Sequence, residues 1–369
     1  MRFQITYSPI FIVLIKIIMS QITINVSLRR RVMQSIKKQA FVKSLESVKK
    51  GIANRELIEQ SASFIFRKNK IIAYNDEIFA MTNSELELEG AIVAEPLLKL
   101  LNKIKDDEIQ VSCSDSELTI KGKKFSSGIM FDAEIKVPID EVKLPKKMQK
   151  LPDGFSSAVR LACLTAGRSL HEPILTCVHI FNNKVESCDN ERITICELET
   201  EFDFDVLVPA KPLLSLCSEK LIEVAVDDAW IHFKTDDGTI LSTRLFNEKF
   251  VDLQQFIPEE IDGHEITFPK HIAEILTRAD IFSKDITSQE KMISLAFNDK
   301  KMLIEAKNDK GWFKEKAVVD FKDNLAFSIN LEFLQDILKI TNKISVINNS
   351  LFFETENSIH LLQLDNEEE

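Results

Sequence analysis

At 369 residues the chain exceeds what one core ordinarily serves, and division by roughly 100 to 150 residues per domain predicts two or three domains. With 44% hydrophobic and 28% charged residues but only 9 Gly and 10 Pro, the composition excludes a disordered or low-complexity chain and describes regular elements with short connections. A net charge of -11 excludes attraction of nucleic acid or an anionic membrane to the surface as a whole, so any DNA contact has to use a local basic face.

Residues 1–32 read as an N-terminal extension. Within it, residues 10–19 (IFIVLIKIIM) are apolar apart from Lys16 and follow Arg2, but they are too short to span a bilayer, and no small-residue cleavage site follows. The expectation is a leader from an over-extended reading frame or a loosely attached extension, with Met19 or Met33 as alternatives to Met1 for the start.

Beyond it one unit recurs six times at a spacing of roughly 55 to 60 residues, each unit opening with an amphipathic helix of about three turns. The first helix, KKQAFVKSLESVKK from Lys37, turns Phe41, Leu45 and Val48 inward and Lys43 and Lys50 outward. The second, AEPLLKLLNKIK from Ala94, buries Leu97, Leu101 and Ile104 and projects Lys99, Asn102 and Lys103. The third, GFSSAVRLACLTAGR from Gly154, buries Phe155, Ala158, Val159 and Ala162 and leaves Arg160 and Arg168 near the other face. The fourth, AKPLLSLCSEK from Ala210, exposes Lys211, Ser215 and Ser218. The fifth, PKHIAEILTRADIF from Pro269, exposes Lys270 and Arg278, and the sixth, NLEFLQDILKITNK from Asn330, exposes Gln335, Lys339 and Asn342. Pro96, Pro212 and Pro269 lie at helix starts, where a missing N–H costs little. A basic or neutral polar face thus repeats in an acidic chain, moderated by Glu46, Glu219 and Glu274.

Behind each helix the pattern switches to period two, as in EIQVSCSDSELTIKG from Glu108 and KMISLAFNDKKMLIEAK from Lys291. Polar pairs such as Asp227-Asp228, Asp237-Gly238, Asn298-Asp299 and Asn348-Asn349 mark hairpin turns. Each unit is therefore a helix followed by three or four strands. Two units make one domain, because one helix on a small open sheet leaves edges and an apolar face uncovered. The seams, KLPKKMQKLPDG from Lys143 and PEEIDG from Pro258, bound domains at 33–145, 150–260 and 263–366. The predicted class is α+β, three tandem domains each with two helices on antiparallel sheets.

The chemistry of catalysis is not represented. There is no phosphate loop, no G-x-S-x-G, no H-E-x-x-H and no dinucleotide fingerprint, and the six histidines have no ligand spacing, so neither catalytic residues, a metal nor a cofactor is expected. The six cysteines form no C-x-x-C pair and lie mostly in apolar runs, which places them as reduced core residues in a reducing cytoplasm.

The second domain, FSSAVRLACLTAGRSLHEPILTCVHIFNNKVESCDNERITI from Phe155, resembles the bacterial replicase beta sliding clamp (the DNA polymerase III beta subunit family) in its helix, its entry into the sheet and its hairpin. The third domain is the next most similar, and the resemblance extends from about Met33 to Asn366. It implies a processivity factor without enzymatic activity: two chains joined head to tail, domain 1 to domain 3, into a pseudo-sixfold ring around duplex DNA. The DNA-facing set would be Lys43, Lys50, Lys99, Lys103, Arg160, Arg168, Lys211, Ser215, Lys270, Arg278, Gln335 and Lys339. It also implies a cleft for short peptides of the replicative polymerase, the clamp loader and other partners, at Leu175, Cys188, Ile193, Pro258, Leu361 and Leu362. The family commonly ends in a Met-Pro-Met type tail on that cleft, whereas this chain reads LLQLDNEEE from Leu361. The divergent first domain and this tail leave open a clamp-like adaptor or decoy that binds partner peptides without closing on DNA.

Overall fold

The computed structural model describes residues 33–258, 263–284, 290–347 and 349–364; the N-terminal extension and the acidic end of the tail lie outside them. Six α-helices occupy the six expected places: α1 (Lys38–Val48), α2 (Ala94–Lys103), α3 (Phe155–Thr165), α4 (Ala210–Leu216), α5 (Ile272–Ser283) and α6 (Leu331–Leu338). Their apolar stripes are buried as the spacing requires, Phe41, Leu45 and Val48 in α1 and Leu331, Leu334 and Ile337 in α6. Each fully buried Leu or Phe contributes about 1.5–3 kcal/mol of transfer free energy, which outweighs the weak intrinsic stability of helices this short.

Helix ends differ from expectation in instructive ways. Pro269 stays outside α5 and its carbonyl accepts the Ile272 N–H at 2.9 Å, so Lys270 sits in the preceding turn. Helix α3 stops at Thr165, placing Arg168 in the segment after it, and Lys50 falls in the 3-10 turn Lys49–Gly51 beyond α1. Only α6 among these helices has a side-chain cap, the Asn330 oxygen accepting from Glu332 N at 3.0 Å.

Each helix is preceded by a short strand and followed by a three-stranded meander, so the repeat is strand, helix, three strands, six times over. The leading strand was not part of the expected unit. In one compact unit, which runs to Lys150 and includes Glu219–Arg244, all strands form a single antiparallel sheet. Its order is Gln34–Lys37, Glu108–Cys113, Glu117–Lys121, Ser126–Asp132, Gly90–Val93, Ser63–Arg67, Lys70–Tyr74, Ile78–Asn83, Ile240–Arg244, Trp230–Thr235, Leu221–Val226 and Gln149–Lys150. The second unit, Leu151–Ser218 with the chain from Leu245 onward, has two sheets. One is ordered Asp205–Pro209, Cys177–Phe181, Lys184–Cys188, Arg192–Glu197, Ser358–Gln363, Ser350–Thr355, Lys343–Ile347 and His264–Thr267. The other is ordered Gly311–Val318, Lys301–Asn308, Met292–Asn298 and Leu325–Asn330.

Two pairing rules generate these sheets. First, neighbouring repeats exchange leading strands: Gln34–Lys37 pairs with Glu108–Cys113, and Gly90–Val93 returns to Ser63–Arg67. The same reciprocity links Gln149–Lys150 to Leu221–Val226 and Asp205–Pro209 to Cys177–Phe181, then His264–Thr267 to Lys343–Ile347 and Leu325–Asn330 to Met292–Asn298. The helices pack in the same couples, α1 on α2, α3 on α4 and α5 on α6. Second, meanders join through their last strands: Ile78–Asn83 pairs with Ile240–Arg244, and Arg192–Glu197 with Ser358–Gln363. The last strands of the two remaining repeats have no such partner among the described residues. Ser126–Asp132 touches Gly90–Val93 only at Phe131 and Asp132, and Gly311–Val318 is the terminal strand of its sheet.

Candidate functional site

The eight-stranded sheet brings most of the expected cleft residues together at its central junction. Ile193 pairs with Leu361, and both pack with Leu175, Cys188, Phe246, Val251, Leu253 and Ile257 in one apolar cluster. Leu362, one residue on, points to the opposite, helix-side face beneath α5 and α6, because side chains alternate along a strand, and there it helps line a slot together with Ile193 and Leu361. Pro258 is half-buried and follows Ile257 at the rim of the cluster without belonging to it.

On the helix side of the junction lies a narrow slot of about 20 Å³, room for about one water, walled by Thr194, Phe333, Ile337, Ile340, Phe353 and His360. It adjoins a wider vestibule of about 430 Å³ that Leu175 also lines. Arg192 and Phe333 belong to both and form the partition between them. The guanidinium carbon of Arg192 stands 3.7 Å from the centre of the Phe333 ring. Its Nε and Nη2 donate to Asp189 Oδ2 at 3.0 and 2.6 Å, while Asp189 Oδ1 accepts the Glu191 and Arg192 N–H groups at 2.9 and 2.7 Å. The hairpin turn therefore fixes the carboxylate, and the carboxylate fixes the arginine. Deeper in the slot, His360 pairs through Nδ1 with Thr194 Oγ1 at 2.8 Å and through Nε2 with Ser358 Oγ at 3.0 Å, stacked on Phe353 at 4.4 Å. Burial pushes its pKa down to about 4, so the slot floor is uncharged at neutral pH.

The expected DNA-facing residues are nearly all exposed, Lys50 and Gln335 partly so, but many are already engaged. Lys99 bonds Glu95, Lys339 bonds Asp336 at 2.8 Å, Lys50 lies 3.2 Å from Glu219, and Arg168 lies 4.0 Å from Glu332. Arg278 makes a two-pronged pair with Glu315 on the strand Gly311–Val318, at 2.7 and 3.0 Å, which holds its guanidinium above the usual range. Arg160 donates to the Cys217 carbonyl at 2.6 Å. Lys43, Lys103, Lys211 and Lys270 are exposed with no ion pair among the described residues, and Ser215 is exposed on α4.

Some features escape sequence reasoning. Arg192 and Phe333 lie 141 residues apart in the chain, and only the D-x-x-R spacing of Asp189 and Arg192 hinted at a fixed arginine. A groove beside the open strand Ser126–Asp132, about 640 Å³ in volume, is walled by Leu100, Ile104 and Phe125 and rimmed by Lys103, Lys105, Lys123 and Lys124. Among the described residues no group of His, Cys, Asp or Glu is placed to hold a metal ion, and no helix is long and apolar enough to cross a membrane. Cys177, Cys188, Cys196 and Cys217 are buried and unbridged, and burial raises the Cys188 and Cys196 thiols to about 12, which keeps them protonated.

No protein-family model and no curated protein matches the chain. Its structure is similar to a DnaN sliding clamp (DNA polymerase III subunit beta) from Bartonella birtlesii, with a TM-score of 0.78 at 15% identity, over 91% of this chain and 100% of that one. The chain has the sliding-clamp fold. It is likewise similar to the DNA polymerase III beta chain of Streptococcus pneumoniae, at TM-score 0.77 and 19% identity over 90% and 99% of the two chains. A DnaN sliding clamp from Pseudomonas aeruginosa, bound to griselimycin, gives 0.75 and 15% over 91% and 100%. The α+β class expected from the repeats, and the clamp architecture implied by the resemblance, are thus present, with antiparallel sheets and six helices among the described residues.

Proposed function

We propose that the chain is a DNA sliding clamp, a cytoplasmic processivity factor that closes head to tail with a second copy around duplex DNA and tethers the replicative polymerase, the clamp loader and other partners through the cleft. One observation carries the reading. Meanders in this clamp fold join last strand to last strand, and among the described residues two last strands are left without such a partner, Ser126–Asp132 in the first repeat pair and Gly311–Val318 in the third. Pairing each with its counterpart on a second copy extends the same rule and removes both edges. Exposed apolar side chains support that pairing: Met130 (84% exposed) on one strand, Trp312 (64%) and Val318 (77%) on the other, and Ile281 (70%) at the end of α5. The groove at Leu100, Ile104 and Phe125 offers an apolar seat beside the first of these strands. The three domains of the ring subunit are then the three strand-exchanging repeat pairs, 33–145, 150–260 and 263–366.

The helix faces suit gliding. Engaged cations such as Lys99 and Arg278 contribute little to phosphate attraction, and Lys103, Lys211 and Lys270, which have no ion pair among the described residues, together with Lys43, whose charge already acts on Asp237, supply a modest, sequence-independent remainder. Reversing those four lysines to Glu lowers the salt dependence of DNA binding more than reversing Lys99, Arg160, Arg278 and Lys339 does, as read from the slope of log K against log salt.

Light scattering of the full chain at micromolar concentration is expected to give a dimer. M130D and W312D each give monomer, and mixing them restores association through the single interface that neither substitution touches; a self-symmetric interface would not be rescued this way. Retention on nicked circular DNA through a high-salt wash, with loss on linearisation, tests encirclement. Equal loss from circles and linear DNA would instead support an adaptor that binds peptides without closing.

A further inference from the structure

We propose that two copies of the chain meet in one register, set by a large-on-small pair in which Trp312 of one copy lies across Gly128 of the next. This rests on the clamp reading and deepens it by naming the residues through which the chain recognises a second copy of itself.

With the repeats numbered by their helices, the joined last strands belong to repeats one and four and to repeats three and six. The next step of that series takes repeat five to repeat two of a following copy. Those are the repeats whose last strands, Gly311–Val318 and Ser126–Asp132, have no such partner among the described residues.

The hairpin turns supply the register. In repeats one, three and five the same side-chain turn precedes the last strand: Oδ1 of Asn75, Asp189 and Asn308 each accepts the N–H groups two and three residues on, between 2.7 and 3.2 Å. Four residues past it stand Phe79, Ile193 and Trp312. Across the two joints Phe79 pairs with Ser242 and Ile193 with Leu361. On the answering side, Ser242 and Leu361 pair within their own hairpins with His232 and Phe352, each five residues past the residue that opens the turn, Asp227 or Ile347. The same count from Ser114, whose N–H donates to Glu117 O at 2.8 Å as that of Asp227 does to Trp230 O at 3.0 Å, reaches Thr119. Thr119 pairs with Gly128. Trp312 therefore answers to Gly128, and in an antiparallel pair Lys314 then stands opposite Ser126.

Burial and size agree with this register. Phe79 and Ile193 are buried at their joints, whereas Trp312 is 64% exposed. Gly128 has no side chain to oppose the indole, and an aromatic ring laid across a strand glycine covers backbone that the glycine leaves bare. The Glu117 carboxylate takes up that space in the single chain, accepting from Thr119 Oγ1 at 3.0 Å; as the exposed end of a flexible side chain it swings aside at little cost.

Cysteine cross-linking of the full chain tests the register. S126C chains mixed with K314C chains are expected to give a covalent dimer on mild oxidation, and S126C with K316C, two residues out of step, several times less; the chain without added cysteines supplies the background. In sedimentation equilibrium W312A and G128L are each expected to raise the dimer dissociation constant about thirtyfold or more. The double variant G128L/W312A, which moves the bulk to the other strand, regains about tenfold of that loss. Preferred cross-linking of S126C to K316C, or unchanged dimerisation of W312A or G128L, overturns the register while leaving the ring in place. Cross-linking is read with Gly128 intact, so it decides the register even where G128L disturbs folding. A parent chain that stays monomeric at micromolar concentration ends the clamp reading and this inference with it.

Discussion

The two junctions at which last strands meet obey one pairing rule and end in opposite states. Where Ile78–Asn83 meets Ile240–Arg244, the neighbouring Trp230 is 3% exposed, 6.2 Å from the Tyr74 ring, and covered by the Arg244 guanidinium at 4.7 Å. Arg244 is held by Asp76 at 2.6 Å and by the Tyr74 hydroxyl at 3.0 Å. Where Arg192–Glu197 meets Ser358–Gln363, an arginine again lies on an aromatic ring and is again held by an aspartate, yet this junction opens into a slot and a vestibule. The difference is the source of the ring. Trp230 grows from the sheet and continues the core around Tyr74, Val137 and Ile139, whereas Phe333 comes from α6 and stands off the strands. Backbone pairing decides that two meanders join; side chains decide whether the joint is solid or hollow.

The comparison can be broken most severely at the solid junction. W230A is expected to cost about 3–5 kcal/mol in denaturant unfolding, as for other large-to-small core changes; a loss below about 1 kcal/mol would mean the ring fills no essential volume. Next comes His360 under the hollow junction. Its folded pKa of about 4 lies below the ordinary 6.5, so folding favours the neutral form; its contribution is complete above pH 6.5 and lost as pH falls toward 4. The full amount is about 3 kcal/mol, and H360Q should flatten stability across that window.

F333A should cost less, about 1–2 kcal/mol, since its ring is half-buried beside a void, and it should merge slot and vestibule. Peptide on-rates measured by stopped flow would then rise; a fall would make Phe333 a contact for the peptide and not a partition. In the same sheet His179 supplies a contrast of sign. Burial disfavours its charge, but Glu186 at 2.9 Å and Asp205 at 2.8 Å together raise its pKa. Its contribution is therefore complete below the ordinary value and lost as pH rises through the elevated one, and H179Q should remove that alkaline loss. Smallest of all, K99A removes an exposed pair on α2 and should change stability by less than about 0.5 kcal/mol.

Much of this architecture is written in local pattern. The stripe of Phe41, Leu45 and Val48 or of Leu331, Leu334 and Ile337 needs only the helical period to be read, and Asp227 marks its hairpin by capping Ala229 and Trp230 N–H groups at 2.8 Å. Leading strands of two to six residues carry too little pattern, and what stabilises Gln149–Lys150 is a partner more than seventy residues away. The candidate site is legible only in part for the same reason. Leu175, Cys188, Ile193 and Leu361 lie in one apolar cluster, while strand alternation puts Leu362 on the other face, where it lines the slot. Arg168 and Lys270 sit in connections because the helices end on their own turn chemistry, short of the apolar period. Whether a lysine on a helix face is available or engaged depends on a carboxylate that local sequence does not place, as Glu315 shows for Arg278.

On the proposed pairing, the strands Ser126–Asp132 and Gly311–Val318, which meet no other last strand among the described residues, would also set a valence. A molecule with one socket and one plug, each answering the other on a neighbouring copy, adds units without limit unless the rotation between neighbours brings the last plug back to the first socket. Slight changes in the splay of either strand would therefore act far beyond the joint itself, converting a closed pair into a growing fibre.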